Sequence, residues 1–451
     1  MKGQQCVIRS NRVVLPEAIR AAEIVVRDGV IAEIRDPRQI SPALLDFGDS
    51  VVMPGIVDTH IHINEPGRTE WEGFETATMA AAAGGVTTLI EMPLNSIPAT
   101  TTLDALRQKI AAAESKLFVD VGFWGGVVPG NSTELASMHE CGAFGFKCFL
   151  VPSGVPEFEA VTEADLRQAV PELTRLSAVL LAHAELPRLI EDAAERVREK
   201  DPRSYSTWLL SRPSLAEDEA IELLICLAAE YKARVHVVHL SSSSSISMLR
   251  KAKSTGVNIT VETCPHYLTI AAEEIPDGAT QFKCAPPIRD AANQEKLWSA
   301  LKDGTIDFVT TDHSPAPPTM KCTVSGDYMR AWGGIASLQL SLPLLWTSAH
   351  KRAFAINDIA KWLCREPAKF AGLSSKGEIA RGRDADFVVW NPEQSFQVQP
   401  ENMFFRHKLT PYSGRTLFGV VQATFLRGEQ IYASGAFTAE RRGRVLRRGE
   451  A

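Results

Sequence analysis

The 451-residue sequence has no run of about 18 consecutive apolar residues, the length a helix needs to cross a bilayer, so a membrane-spanning helical protein is excluded. No Cys-x-x-Cys pair occurs among its eight cysteines (Cys6, Cys141, Cys148, Cys226, Cys264, Cys284, Cys322, Cys364). That removes both a disulfide framework and a thiolate zinc site, and leaves reduced, mostly buried small apolar side chains. An excess of base is missing as well. The 48 Lys plus Arg face 54 Asp plus Glu, a formal net charge of −6 with the signs interspersed. Nucleic acid and acidic membranes both require clustered base, so neither is expected as a partner. One basic cluster, Arg441, Arg442, Arg444, Arg447 and Arg448, reads as a solvated tail, with a subunit contact as the alternative. The start MKGQQCVIRSNRVV lacks an apolar h-region and a cleavage-like site, so cytoplasm is the expected location. What is present, 45% hydrophobic and 23% charged residues, describes an ordinary globular protein.

Short β-rich apolar runs recur at 51–57, 86–90, 118–123, 143–149, 178–182, 235–240, 257–261 and 306–310. Segments of helical periodicity lie between most of them, such as 103–113 and 217–231, where Ile221, Leu224, Ile225 and Ala228 share a face. Strands alternating with helices predict an α/β protein, a (β/α)8 TIM-like barrel with its chemistry at the C-terminal strand ends. Outside this region the pattern changes to alternation. Glu23-Ile24-Val25-Val26-Arg27, the turn Asp28-Gly29 and Val30-Ile31-Ala32-Glu33-Ile34 form a hairpin pattern. Residues 386–390, 423–426 and 430–432, with a turn at Arg427-Gly428-Glu429, repeat it near the other end. The expectation is one small β-sandwich domain from residues 1–52 plus 375–451, into which the barrel, 53–374, is inserted.

The polar residues that end the strands carry the chemistry. The first run stops at Asp58-Thr59-His60-Ile61-His62. Residues i and i+2 of a strand face one side, so His60 and His62 can converge as metal ligands, although two chance histidines would look the same. The later strands decide: the fifth ends in His183, the sixth in His239 and the eighth in Asp312-His313. Histidines and a carboxylate at the ends of separate strands on one barrel face predict a dication site. The fourth strand, Phe144-Gly145-Phe146-Lys147-Cys148-Phe149, places a lysine inside an apolar run. A buried ammonium must be paired, neutralised or modified, unless the side chain snorkels outward. A neutral amine can add carbon dioxide, and the resulting carbamate can bridge two metals. Of the other histidines, His139, His350 and His407 read as surface or packing residues. His236, three residues before His239, is expected on the opposite face of its strand. His266 is a candidate to line the site, and His313 to orient neighbours of the metal.

The set His60-x-His62, Lys147, His183, His239 and Asp312 resembles the cyclic-amidohydrolase branch of the amidohydrolase superfamily, over essentially the whole chain. The resemblance implies a binuclear centre: His60, His62 and Asp312 on one divalent ion, His183 and His239 on the other, and carboxylated Lys147 plus hydroxide between them. Zinc, cobalt, manganese or nickel fits such ligands. Dihydroorotases carry a substrate-binding arginine two positions after the second histidine, where this chain has Asn64, which points to an uncharged substrate. Hydantoinases and dihydropyrimidinases typically place a tyrosine shortly after the bridging lysine, and none follows Lys147 there. The stretch from His60 to Phe74, together with Met92-Pro93-Leu94-Asn95-Ser96, Pro286-Pro287-Ile288-Arg289 and Trp332-Gly333-Gly334-Ile335-Ala336, is similar to allantoinases. The implied activity is hydrolysis of the cyclic amide of allantoin to allantoate. Asp312 is expected to shuttle the proton, and a homotetramer is implied. Substrate contacts carried over from the family are Ser314, which could instead cap a loop, and backbone groups at Ala285 and Gly333. A hydantoinase or dihydropyrimidinase acting on other cyclic ureides is the alternative enzyme. A non-catalytic homologue is the alternative of another class, disfavoured because all six ligand positions are filled.

Overall fold

The computed structural model describes residues 5–38, 43–438 and 440–449; residues 1–4, 39–42, 450 and 451 of the expected terminal unit lie outside the described residues, as does residue 439. Eight parallel strands form the barrel: Ile56–Ile61, Val86–Glu91, Asp120–Phe123, Phe146–Phe149, Val179–His183, Arg234–Val237, Ile259–Thr263 and Phe308–Val309. Their residues are almost all buried, which is why they read as continuous apolar runs: a parallel sheet is covered on both faces. The ring closes between its last and first strands through a parallel bridge from Ile61 to His313. The helix Leu103–Ala113 has the predicted bounds and begins at Thr102, whose side chain accepts from Ala105 N at 3.2 Å. The predicted helix at 217–231 starts one turn earlier, as Ser214–Tyr231, and buries Ile221, Leu224 and Ala228 while leaving Ile225 partly exposed.

The first apolar run is not one strand. It divides at Gly55, where an added Cβ would lie 2.2 Å from Thr87 Oγ1, so only glycine allows the two segments to pass this closely. Val51–Pro54 joins the terminal sheet and Ile56–Ile61 opens the barrel. That terminal sheet takes five strands from the start of the chain and four from the end, with Val51–Pro54 antiparallel to Phe387–Trp390 where the halves meet. Its own core includes Ile8, Ile24, Val52, Phe387, Val389 and Phe425. The predicted hairpin is present, and Asp28 (φ 52°) and Gly29 (φ 81°) take the left-handed pair that a two-residue turn of matching twist requires. The fold is therefore a (β/α)8 barrel inserted into a β-sandwich-like unit built from both chain ends.

The arginine-rich C-terminal segment corrects the expectation of a solvated tail. Its side chains are exposed, but its backbone docks: Arg444 O accepts from Val121 N (2.9 Å) and Leu446 N donates to Val121 O (2.8 Å). Beside it, Asp120 accepts from Arg444 N at 2.9 Å and pairs with Lys376 (2.9 Å) and Arg427 (2.6 Å). Lys376 also reaches Asp386 at 2.7 Å, so one buried ammonium joins the barrel to the terminal sheet. Removing it leaves Asp386 without a cation and takes one of two cations from Asp120. Lys376→Met is expected to lower the unfolding free energy by about 3 kcal/mol, measured by denaturant titration; an unchanged midpoint would refute the role.

Candidate metal centre

His60 lies within the strand Ile56–Ile61, and its Nε2 is 3.3 Å from Asp312 Oδ1. His62, just beyond that strand, brings its Nε2 to 3.4 Å from the same oxygen. Ligand atoms of His60, His239 and Asp312 lie within 4.8 Å of one another. The His183 ring centroid is 4.7 Å from that of His239 and stacks on Phe149 at 4.7 Å. His239 (φ 39°) and Asp312 (φ 43°) both sit past their strand ends in left-handed backbone, which costs a side-chain-bearing residue about 1–2 kcal/mol. Such conformations collect where the surrounding structure has a use for them.

Lys147, on the strand Phe146–Phe149, is fully buried, and its Nζ has no hydrogen-bond partner among the described residues. Its nearest aromatic face is Phe149, 5.1 Å from Nζ. Burial lowers the amine to about 8, so the neutral, nucleophilic form is accessible near physiological pH. Burial also lowers His60, His183 and His239, which keeps those imidazoles neutral as metal ligation requires. His239 Nδ1 is a second orphan. An unpartnered amine, an unpartnered ring nitrogen and a carboxylate facing neutral imidazoles fit divalent cations, because cations would satisfy lone pairs that the protein leaves open.

The partners behind these groups set which nitrogen is open. His62 Nδ1 donates to Leu94 O at 3.0 Å and His60 Nδ1 pairs with Glu262, so both rings present Nε2. In His183 the roles reverse: Nε2 faces Glu185 at 2.7 Å, which leaves Nδ1. Glu185 is held by Arg212 at 2.6 Å. Burial alone would raise that carboxyl, but Arg212 and His183 outweigh it and bring it to about 2. For Asp312 burial likewise opposes ionisation, and His60 and His62 prevail to leave it at about 2. Glu262 is held below the usual carboxylate range because His60 and His236 overcome its burial.

His236 stays out of the cavity, in keeping with a structural role, but it is connected to the site. Its Nε2 meets Glu262 Oε2 at 3.1 Å, so it shares with His60 the carboxylate that supports that ring. The strand ends at Val237, before His239, so alternation along it does not extend to that residue. His266 is buried against Tyr267 and does not line the cavity. His313 turns its ring to Glu72 (3.3 Å) and supplies its carbonyl to His62 N (2.8 Å). His139 packs on Phe146, His350 on Trp346, and His407 meets Glu70 O. Asn64 does not line the cavity either; its Nδ2 donates to His62 O (3.2 Å), and its Oδ1 accepts from Asn95 (2.9 Å), which does line it.

A cavity of about 250 Å³ brings His60, His62, Lys147, His183, His239 and Asp312 together with Ser314, Ala285 and Gly333. The six expected ligands and three expected substrate contacts thus face one space, whereas His266 and Asn64 do not. The sequence reading missed Glu262, Glu185, Asp58 and Lys283. Glu262 carried the same signal as Lys147, a charge in an apolar strand, but ending that strand at residue 261 excluded it.

Residues 51–431 match the amidohydrolase family, and the chain belongs to it. An allantoinase of Streptomyces avermitilis is 50% identical over 99% of this chain and 100% of its own length. An Arabidopsis thaliana allantoinase is 42% identical over 96% of this chain and 89% of its own. Among solved structures, the L-hydantoinase (dihydropyrimidinase) of Arthrobacter aurescens superposes with a TM-score of 0.93 at 31% identity, covering 98% of this chain and 99% of that one.

If Glu262 fixes the His60 ring, Glu262→Gln should weaken divalent-metal binding about 10- to 100-fold while the protein stays folded, as read by competition with a chromophoric chelator. Unchanged affinity would show that the contact is idle.

Proposed function

We propose that the chain is an allantoinase, hydrolysing the ring amide of allantoin to allantoate. The observation that carries this reading is the buried, unpartnered Lys147 amine beside four imidazoles and Asp312 in a cavity the size of a small cyclic ureide. The near full-length allantoinase relatives support the choice of substrate. Two divalent cations are proposed as cofactors, zinc first, with cobalt, manganese or nickel as substitutes. His60, His62 and Asp312 would hold one, His183 and His239 the other, and Lys147, carboxylated by carbon dioxide, would serve both. When bound, such cations supply Lewis acidity that polarises a carbonyl and lowers the pKa of water toward neutrality.

The chain's own residues do the rest. Asp312, ionised and close to two imidazoles, accepts at Oδ1 a proton from the water that adds to the ring carbonyl and returns it to the ring nitrogen as the C–N bond breaks. Ser314 and the backbone N–H groups of Ala285 and Gly333 bind the ureide, whose many N–H and C=O groups call for matched hydrogen bonds rather than a counter-charge. Trp332, edge-on to Trp71 with ring centroids 5.0 Å apart, shields one side of the cavity from water. Residues 1–52 plus 375–451 and 53–374 are the proposed units, the assembly a homotetramer and the location cytoplasmic. Among the described residues no helix is long and apolar enough to cross a membrane.

A substrate panel on metal-reconstituted protein tests the assignment. Allantoate formation is expected, and no turnover of allantoin with good turnover of dihydropyrimidines would replace the reading with dihydropyrimidinase. Lys147→Ala should lose bound metal and reduce kcat by at least about 10³, scored by metal analysis alongside the assay. Carbamate formation consumes the neutral amine and releases a proton, so it is favoured above the Lys147 value of about 8. Reconstitution at a fixed concentration of dissolved carbon dioxide should therefore be faster at pH 8.5 than at pH 6.5, about tenfold or more from the amine population alone, and a pH-independent rate would contradict it.

A further inference from the structure

Two lysines, Lys283 in the lining of the cavity and Lys321 behind it, have no role in the reading above. Lys321 is buried, and its Nζ donates to the carbonyls of Trp332 (2.9 Å), Gly334 (2.7 Å) and Lys283 (3.3 Å). Lys283 Nζ lies 4.2 Å from the Trp208 ring centroid and donates to the carbonyls of Ala331 (2.5 Å) and Met329 (3.3 Å). Neither amine has a carboxylate within ion-pair distance among the described residues; their partners are carbonyl dipoles and an aromatic face. An ammonium buried this way costs several kcal/mol unless its donors are used, and these donors converge on one short segment. Burial, with little relief from neighbouring charge, holds both amines down to about 7.

The segment 329–334 forms one wall of the cavity, through Ala331, Trp332, Gly333 and Gly334. Three backbone bonds seat it, Ala331 N to Asp327 O (3.0 Å), Trp332 N to Met320 O (2.8 Å) and Gly334 N to Lys283 O (2.9 Å). Among the described residues neither Gly333 N–H nor Ala285 N–H has a backbone acceptor. A Cβ placed on Gly333 would be 3.9 Å from Ala285 N, so these two donors are neighbours.

We propose that Lys283 and Lys321 are positioning residues that set substrate specificity. By binding the carbonyls of residues 329, 331, 332 and 334, they hold the Gly333 N–H beside the Ala285 N–H as a paired donor for a carbonyl oxygen of a neutral cyclic ureide. This rests on the allantoinase reading for the identity of the ligand, but not for the clamp itself. Ligand binding gains from the clamp because the wall is ordered before the substrate arrives.

Lys283→Met and Lys321→Met, each reconstituted to the wild-type metal content, test the proposal. The expected result is a KM for allantoin raised about tenfold or more with a smaller change in kcat, the pattern of lost ground-state binding. Faster amide exchange across residues 328–334 should accompany it. Unchanged KM and exchange in both folded variants, with allantoin turned over by the wild type, overturns the clamp alone. Wild-type protein inert toward allantoin, with slow exchange in 328–332, overturns the substrate reading alone and supports the clamp. Should a variant not accumulate as folded protein, exchange in the unaltered holoenzyme decides: protection of 328–332 comparable with that of Val179–His183 supports the clamp, and exchange at the rate of an exposed loop overturns it.

Discussion

The barrel has to close between its first and last strands, and the last has only two residues, Phe308–Val309, in its ladder. Closure falls to side chains and to single backbone bonds. Asp58, buried in the first strand, accepts from Thr311 Oγ1 (2.5 Å), Thr311 N (3.2 Å) and His60 N (3.1 Å). One step further along, His313 O takes the His62 N–H. This seam sets Asp312 between His60 and His62, so the geometry of the candidate centre follows from barrel closure. Burial raises the Asp58 carboxyl to about 7 in spite of its donors, which shows how far from solvent the seam lies. Any loosening there would separate the two imidazoles from the carboxylate before it disturbed the rest of the ring.

Around that seam the protein keeps its buried charges in a consistent order. The rings nearest the cavity are held neutral by burial, and the carboxylates behind them, Glu262 and Glu185, are held ionised by the histidines and by Arg212. Each carboxylate takes one ring nitrogen and leaves the other open toward the cavity. Lys147 breaks the order, since among the described residues it has no ion pair and no hydrogen bond. The break falls where His239 Nδ1 also lacks a partner, beside the His60, His239 and Asp312 group, and so it reads as part of a site for a cation rather than as a packing fault. Lys283 and Lys321 solve the same problem differently, spending their donors on carbonyls of the cavity wall.

The terminal β unit stands apart from the chemistry. Among the described residues none of its strands lines the cavity. Its connection to the barrel runs through Asp120, Lys376, Asp386 and Arg427, and the docked C-terminal segment adds main-chain bonds beside the same aspartate. Ion pairs this deeply buried are unforgiving of change, since losing one partner strands the other. They tie the unit made from both ends of the chain to the barrel between them.

Much of the fold could be read from the sequence because apolar runs at strand length, separated by helical periodicity, have few other solutions, and because Asp28-Gly29 and Arg427-Gly428 mark hairpins by backbone chemistry alone. The residues that come to share the cavity were legible for a similar reason: a charged or imidazole side chain at the end of an apolar strand is conspicuous. The division at Gly55 was not, since both segments are equally apolar and only the approach of Thr87 separates them. The contact of His236 with Glu262 was not, because periodicity within one strand says nothing of which residue of another strand a side chain meets. The docking of the arginine-rich segment was hidden as well, its exposed side chains concealing a backbone that pairs with Val121. The sequence by itself determined which residues are chemically able to form the centre. Tertiary structure alone decided which nitrogen of each ring is open, which carboxylates support them and how two distant lysines hold the opposite wall, because those choices depend on contacts between residues far apart along the chain.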